Sequence, residues 1–289
     1  LQETIQLDLP PAEWTHVIRP KRGWFEFSFK ELWGYRDLVS MFIRRDFVAV
    51  YKQTVLGPLW YLINPLASSL VFTVVFGKIA RIPTDGVPPF LFYLSGITCW
   101  NYLATCVSGT ASSFLTNSSL FGKVYFPRLI SPVSTVISNL TAFSIQFLFL
   151  LLFVGVYAAQ GMTVQPTWTM LLIPALILQI GLLGLGIGIM VSAATVKYRD
   201  FHFLVGFGIQ LWMYASPIIY PASEVPARFR GLYSLNPIAP IIEAFRHCMI
   251  GTALPAAGSL MVSWLVTLSI LFFGVLLFNR AEKNFMDVV

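Results

Sequence analysis

The sequence predicts an all-α polytopic membrane protein with six transmembrane helices. An N-terminal amphipathic interface helix precedes the first, and short re-entrant or gate helices lie between the fifth and sixth. Three observations carry this. Residues 53–77 are 25 consecutive positions without a charged side chain, enough for one helical crossing of a hydrocarbon core about 30 Å thick. Residues 129–196 are a further 68, too many for one crossing and right for two. Charged residues make up 11% of the chain, against about 25% in soluble domains. A soluble domain of 289 residues buries a good core but cannot hide uncharged runs of this length.

Residues 1–33 read as a cytoplasmic arm, with Pro10, Pro11 and Pro20 and the aromatic run GWFEFSFKELW. Alternating Phe25, Phe27 and Phe29 mark a short strand or an extended arm, and Trp14, Trp24 and Trp33 suit the headgroup layer. Residues 1–30 show no apolar core of a cleavable signal peptide. Residues 34–52 form the interface helix. At 100° per residue Tyr35, Leu38, Val39, Phe42, Ile43 and Val50 share one face, and Asp37, Arg44, Arg45 and Lys52 share the other. Asp46 interrupts the apolar arc. A helix lying on the membrane surface fits this pattern; a cytosolic helix with a solvated charged face is the alternative.

The transmembrane domain is placed at 53–279. Span 1 covers about 59–77, with Pro58 at its tolerated first turn and Pro65 as a kink. Span 2 covers about 90–112 and runs into SGTASSFLTNSS, whose small hydroxylated side chains face protein or line an aqueous path. Spans 3 and 4 follow at about 133–157 and 168–194. Gly181, Gly184, Gly186 and Gly188 in span 4 favour close helix packing or local flexing. Span 5 covers about 202–220 and ends in PIIYP. Residues 221–256 then carry NPIAPIIEAFRHCMIG, an apolar stretch too short and broken to cross, which reads as re-entrant or interfacial helices. Span 6 covers about 257–278, and 280–289 are a cytoplasmic tail.

Six spans put both termini on one side. That side collects 14 of the 19 Lys and Arg residues, so both termini are expected in the cytoplasm. The basic residues are divided among loops rather than gathered into a patch for nucleic acid. No GxxxxGK[ST] loop is present, because Gly122-Lys123 is followed by Val124, and ATP is not bound by that route. His16, His202 and His247 are far apart, and no HExxH, CxxC or Ser-His-Asp set stands out. His202 reads as a packed histidine. Few ionisable groups lie within spans, which weakens an ion-coupled pump. Cys99 and Cys106, about 10 Å apart in helical rise, are too distant to bond and read as small buried hydrophobes.

The loop LFGKVYFPRLISP at 120–132 has two cations and no anion. Phe121, Tyr125 and Phe126, rimmed by Lys123 and Arg128, suit a short helix seated in a cleft of a cytosolic partner; a basic loop touching headgroups is the alternative. An energy-independent channel, a secondary carrier and a membrane enzyme acting on lipid-linked sugars remain other readings of the architecture.

Five stretches carry a family resemblance: RRDFVAVYKQTVLGPLWYLINP (44–65), NSSLFGKVYFPRLISP (117–132), VKYRDF (196–201), PIIYP (217–221) and NPIAPIIEAFR (236–246). In this order they resemble the permease subunits of ABC-2-type exporters of cell-surface polysaccharides, including O-antigen and teichoic acid exporters. The resemblance implies a homodimer in the cytoplasmic (inner) membrane, joined to two copies of a cytosolic ATPase subunit that hold the ATP and Mg. No cofactor is implied for this chain. The implied cargo is a long glycan on undecaprenyl diphosphate, with teichoic acid, a lipid or a drug as alternatives. The implied ATPase-coupling residues are Phe121, Lys123, Tyr125, Phe126, Pro127 and Arg128. Arg44, Arg45, Asp46 and Lys52 fall on the interface helix, beside lipid headgroups. Lys197, Tyr198, Arg199 and Asp200 form a second inside loop, and Asn236, Pro237, Pro240, Glu243 and Arg246 an outer gate. Aromatic rings offer flat, weakly adhesive surfaces to sugars, and Trp60, Tyr61, Phe72, Trp100, Tyr102, Trp212 and Tyr214 are the candidates for such a path.

Overall fold

A computed structural model describes residues 33–52, 57–117, 120, 124, 126–161, 168–195 and 200–285. The arm over 1–32 and the end of the tail lie outside the described residues, as do Phe121, Lys123, Tyr125, Lys197, Tyr198 and Arg199. Helix α1 spans Arg36–Lys52. A 3-10 turn, Gly57–Leu59, leads into α2, Trp60–Phe72, which continues as a π-helical segment, Thr73–Ile79. Helix α3 is Pro89–Ala111 and α4 is Ser113–Thr116. Helix α5 is Ile130–Ala159. The 3-10 segment Trp168–Leu172 precedes α6, Ile173–Thr195. Helix α7 is Phe201–Tyr214, α8 Arg230–Ser234, α9 Ile238–Ile250 and α10 Ala257–Phe285.

The helix ends follow local chemistry. Pro89 opens α3, where its missing N–H removes nothing from the helix ladder. Gly251 closes α9 in the left-handed conformation (φ 78°), its N–H bonded to the His247 carbonyl at 3.0 Å, a turn that glycine makes without strain.

Among the described residues five helices are long and apolar enough to cross a membrane: Trp60–Ile79, Pro89–Ala111, Ile130–Ala159, Trp168–Thr195 and Ala257–Ala281. Span 5 differs from its predicted extent of 202–220. Helix α7 stops at Tyr214 after 14 residues, about 21 Å of rise and short of a full crossing. Pro217 brings no N–H to a helix and disfavours helical geometry at Ser216. Residues 215–220 therefore turn rather than continue the helix. The predicted segment over 221–256 resolves into two 3-10 turns, the short α8 and the 13-residue α9.

Helix α3 is the central column. Every residue from Leu91 to Trp100 is buried, and α3 packs most extensively on α6 and α5, with further contacts to α2, α7 and α9. The small hydroxylated end of span 2 faces protein: Thr110 and Ser113 are buried. The span 4 glycines serve close packing. A methyl group at Gly184 would lie 2.6 Å from Cys106 Cβ on α3, and one at Gly274 of α10 would lie 2.6 Å from the Gly186 carbonyl oxygen. The α6–α10 crossing thus brings backbone against backbone, the contact that small residues allow between helices in lipid.

Two apolar clusters result. The larger is centred on α3, α6 and α9, with Leu91, Phe92, Ile180, Ile241 and Phe245 fully enclosed. The smaller joins Phe42 of α1 to Phe114, Phe126, Ile130, Ile189 and Phe278; Phe114 and Phe278 stack at 4.6 Å. At the opposite end of α3 the loop before it is tied to the loop after α7, where Ser223 Oγ donates to Asp85 Oδ1 at 2.9 Å.

Overpacking the backbone contact tests its role. Gly274→Val is expected to cost about 1–3 kcal/mol, read as a lower thermal unfolding midpoint in detergent, whereas Gly258→Val, with nothing within 4 Å, leaves the midpoint in place.

Candidate functional site

Two polar constellations and a set of aromatic rings mark the bundle. The first joins α1 to the turn between α3 and α5. Arg45 and Asp46 pair at 2.9 Å, and Arg45 Nη1 donates to Asn117 Oδ1 at 3.2 Å. The guanidinium also lies 4.6 Å from the Phe42 ring centre. Asn117 Nδ2 donates to Ser131 Oγ at 2.8 Å and to the Ser113 carbonyl at 3.2 Å. Ser138 Oγ reaches Asp46 Oδ2 at 3.4 Å. Asp46, which breaks the apolar arc in sequence, therefore turns inward onto a hydroxyl of α5. Arg44 and Lys52 are exposed.

The structure places the 120–132 residues unequally. Phe126 is only 6% exposed and meets Phe42 edge-on at 5.8 Å. Pro127 is buried, and Arg128 is 7% exposed. These three anchor the loop to its own chain rather than presenting a free rim. Val124 is exposed, and Asp200 is exposed just ahead of α7.

The second constellation surrounds Arg246 on α9, 2% exposed. Its Nη1 donates to the Pro217 carbonyl at 2.5 Å, and its Nη2 to the carbonyls of Ile218 and Phe92 at 3.2 and 3.1 Å. Its Nε donates to Ser95 Oγ at 3.3 Å. The guanidinium carbon sits 3.6 Å from the Phe92 ring centre. Gly96 makes the room, because a methyl group there would meet Nη2 at 2.6 Å. Burial pulls Arg246 down to about 10, so it keeps its charge at neutral pH. Tyr233 donates its hydroxyl to Glu243. Burial pushes the Glu243 carboxyl above its ordinary range, against the opposing pull of Tyr233 and Arg246.

Asn236 binds the same region together. Trp212 Nε1 donates to Asn236 Oδ1 at 3.0 Å, and Asn236 Nδ2 donates to Ser216 Oγ at 3.1 Å. The Pro237 carbonyl accepts from Ser263 Oγ at 2.6 Å, and Pro240 is buried. A cavity of about 880 Å³ opens beside them, with Trp212, Tyr220, Phe229 and Tyr233 in its wall.

The aromatic candidates do not form one surface. Trp100 and Tyr102 are core residues. Trp100 meets Trp212 edge-on at 5.5 Å, and Phe72 packs on Phe76 and Tyr93. Tyr214 is exposed at the end of α7. Trp60, Tyr61 and Tyr102 share a second cavity with Asn64, Asn101 and Gln146. Among the described residues no group of three His, Cys, Asp or Glu side chains is placed to hold a metal. The cysteines are free and buried.

The family model for "ABC-2 type transporter" matches residues 37–250, which takes in α1, α9 and everything between them. The chain belongs to the ABC-2 type transporter family. It is similar to an O-antigen export system permease protein of Myxococcus xanthus, 29% identical over 90% of this chain and 98% of that protein. A protein of the same description from Klebsiella pneumoniae is 27% identical over 88% and 95%. A polysialic acid transport protein of Escherichia coli is 21% identical over 79% and 87%. The chain is thus an ABC-2-type membrane permease, a transport subunit rather than an enzyme.

Within this permease the sequence pattern missed the amides. Asn117, Asn101 and Gln146 join helices whose partner residues lie 14 to 72 positions away. Their one sequence signal is a carboxamide inside or beside an apolar run. Arg246 gives a direct test. Arg246→Met leaves three carbonyls and one hydroxyl without their charged donor and is expected to lower stability by about 3 kcal/mol or more. Arg246→Lys keeps the charge but not the fork and should fall between. Thermal unfolding of the purified permease reads both.

Proposed function

We propose that this chain is the membrane-spanning subunit of an ATP-driven exporter. Its cargo is a polysaccharide carried on undecaprenyl diphosphate, moved across the cytoplasmic membrane. One observation carries the reading: the match to an O-antigen export permease runs over 98% of that protein and 90% of this chain. The lower-identity likeness to polysialic acid transport proteins keeps the cargo class a polysaccharide. ATP and Mg are held by a separate cytosolic subunit, present in two copies beside two copies of this chain, as the resemblance to ABC-2-type exporters implies.

In this reading α7 and the turn after it, 215–220, together make the sixth crossing, so both termini lie in the cytoplasm. Helix α1 lies at the cytosolic surface, with Arg44 and Lys52 toward anionic headgroups. The loop at 120–125 docks on the ATPase, held from behind by Phe126 on Phe42, and 197–200 form a second contact. Nucleotide-driven closure of the ATPase pair acts through these loops by binding one arrangement of the permease better than another. At the outer end α8 and α9 act as a gate around Asn236, Glu243 and Arg246. Trp212 and Tyr214 present rings to the passing sugar, which they hold weakly enough to release.

Two experiments test this. Proteoliposomes with the permease and its ATPase should translocate the host's lipid-linked polysaccharide only with hydrolysable ATP; equal translocation without the ATPase would leave a passive channel or carrier. A photo-crosslinker at Val124 should capture the ATPase subunit in the assembled complex, and capture of lipid alone would remove the docking role.

A further inference from the structure

Four carboxamides converge where α2, α3 and α5 border a cavity of about 490 Å³: Asn64, Asn101, Asn139 and Gln146. The rings of Trp60 and Tyr61 line the same space. Its wall includes Tyr102 and Phe143, whose ring centres are 5.2 Å apart. All three helices are long and apolar enough to cross a membrane, a setting in which polar side chains are rare and tend to be functional.

Amides in membrane helices also serve as glue between helices. Here they make poor glue. Asn101 Nδ2 meets Gln146 Oε1 at 3.5 Å, and Asn139 Nδ2 meets Cys106 Sγ at 4.0 Å, both at the long limit for such contacts. Each carboxamide brings two donor hydrogens and two acceptor lone pairs, so most of the set's capacity is left over. Pro65, also in the wall, has no N–H to offer the Tyr61 carbonyl one turn back. Among the described residues no Lys, Arg, Asp or Glu lines the cavity, so a phosphate or carboxylate finds no counter-charge from them. An acyl chain would bury the amides unpaired, at a penalty. Hydroxyl groups both donate and accept, as carboxamides do. A sugar ring also has an apolar face, which the Trp60 and Tyr61 rings can cover. The volume is in the range of ordinary ligand pockets, about 300–1,000 Å³.

We infer that this cavity is a binding site for one or two glycosyl units, hydrogen-bonded by the four amides and stacked on Trp60 and Tyr61. It shares no lining residue with the Trp212 cavity, so it is a second station for sugar, to one side of the aromatic pair Trp100–Trp212. The inference rests on the glycan-export reading. The glycosyl units come either from the strand in transit or from a membrane glycolipid.

Ile63, which borders the cavity, is the position for a photo-reactive benzoylphenylalanine, with a second one at Trp212 in a separate variant. The complete exporter is illuminated in cells whose sugars carry tritium and whose acyl chains carry carbon-14. Tritium at position 63 on a polymer ladder assigns the site to the strand. Tritium on a small adduct that also carries carbon-14 assigns it to a glycolipid. Carbon-14 without tritium at 63, or no adduct at 63 while 212 captures polymer, overturns the site and leaves the export reading standing. No tritium at either position overturns both. Asn101→Leu and Gln146→Leu are each expected to lower tritium capture at 63 about fivefold, the loss of roughly one net hydrogen bond, and Asn101→Gln to restore it. Undiminished capture in both leucine variants would remove the amides from the site.

Discussion

Backbone carbonyls cannot be left unpaired in a medium without water, and the packing around Arg246 meets that requirement. Where α7 stops, the chain turns, and the carbonyls of Pro217 and Ile218 point at Arg246. The same guanidinium takes the Phe92 carbonyl and the Ser95 hydroxyl on α3. One buried cation therefore fixes the end of α7, the course of α9 and the register of both against the central helix. A buried charge is tolerated only with such partners. Here they are carbonyl dipoles and a ring face rather than a single carboxylate.

The cytosolic reading of the other end depends on a different kind of contact. Helix α1 packs through Phe42 on Phe126, and Arg45 and Asp46 reach the amide of Asn117 and the hydroxyl of Ser138. Rings and amides tie α1 to the start of α5 on both sides of the 118–125 segment. Between the two ends, α6 and α10 meet backbone to backbone at Gly186 and Gly274, where neither helix has a side chain to yield. Helix α7, by contrast, leaves Phe203, Leu204, Phe207 and Leu211 exposed, an apolar flank for lipid or a second copy.

Much of this was legible in the sequence because hydrocarbon imposes a simple pattern. Uncharged runs located the long helices; the small residues of span 4 left packing and flexing equally open, and the structure shows close packing at them. Periodicity could not show what side chains from distant segments do for one another. Asp46 looked like a flaw in an amphipathic face until Ser138, 92 positions away, supplied its partner. Phe126 read as part of a docking plug because its partner Phe42 lies across the fold. Arg246 read as a gate cation of the outer loops, since only the fold shows that residues 92, 95, 217 and 218 gather around it. Hydropathy extends span 5 to PIIYP because no Lys, Arg, Asp or Glu falls within 202–220; the proline at 217 outweighs it.

Helix α2 changes pitch at its end. From Thr73 to Ile79 the turn widens to a π-helix, with the Ala80 N–H bonded to the Val75 carbonyl five residues back. Each wider turn adds residues per revolution, so side chains beyond Phe72 fall progressively out of phase with those before it. A helical wheel drawn at one angle for the whole of 60–79 would put Phe76 and Lys78 on the wrong meridian.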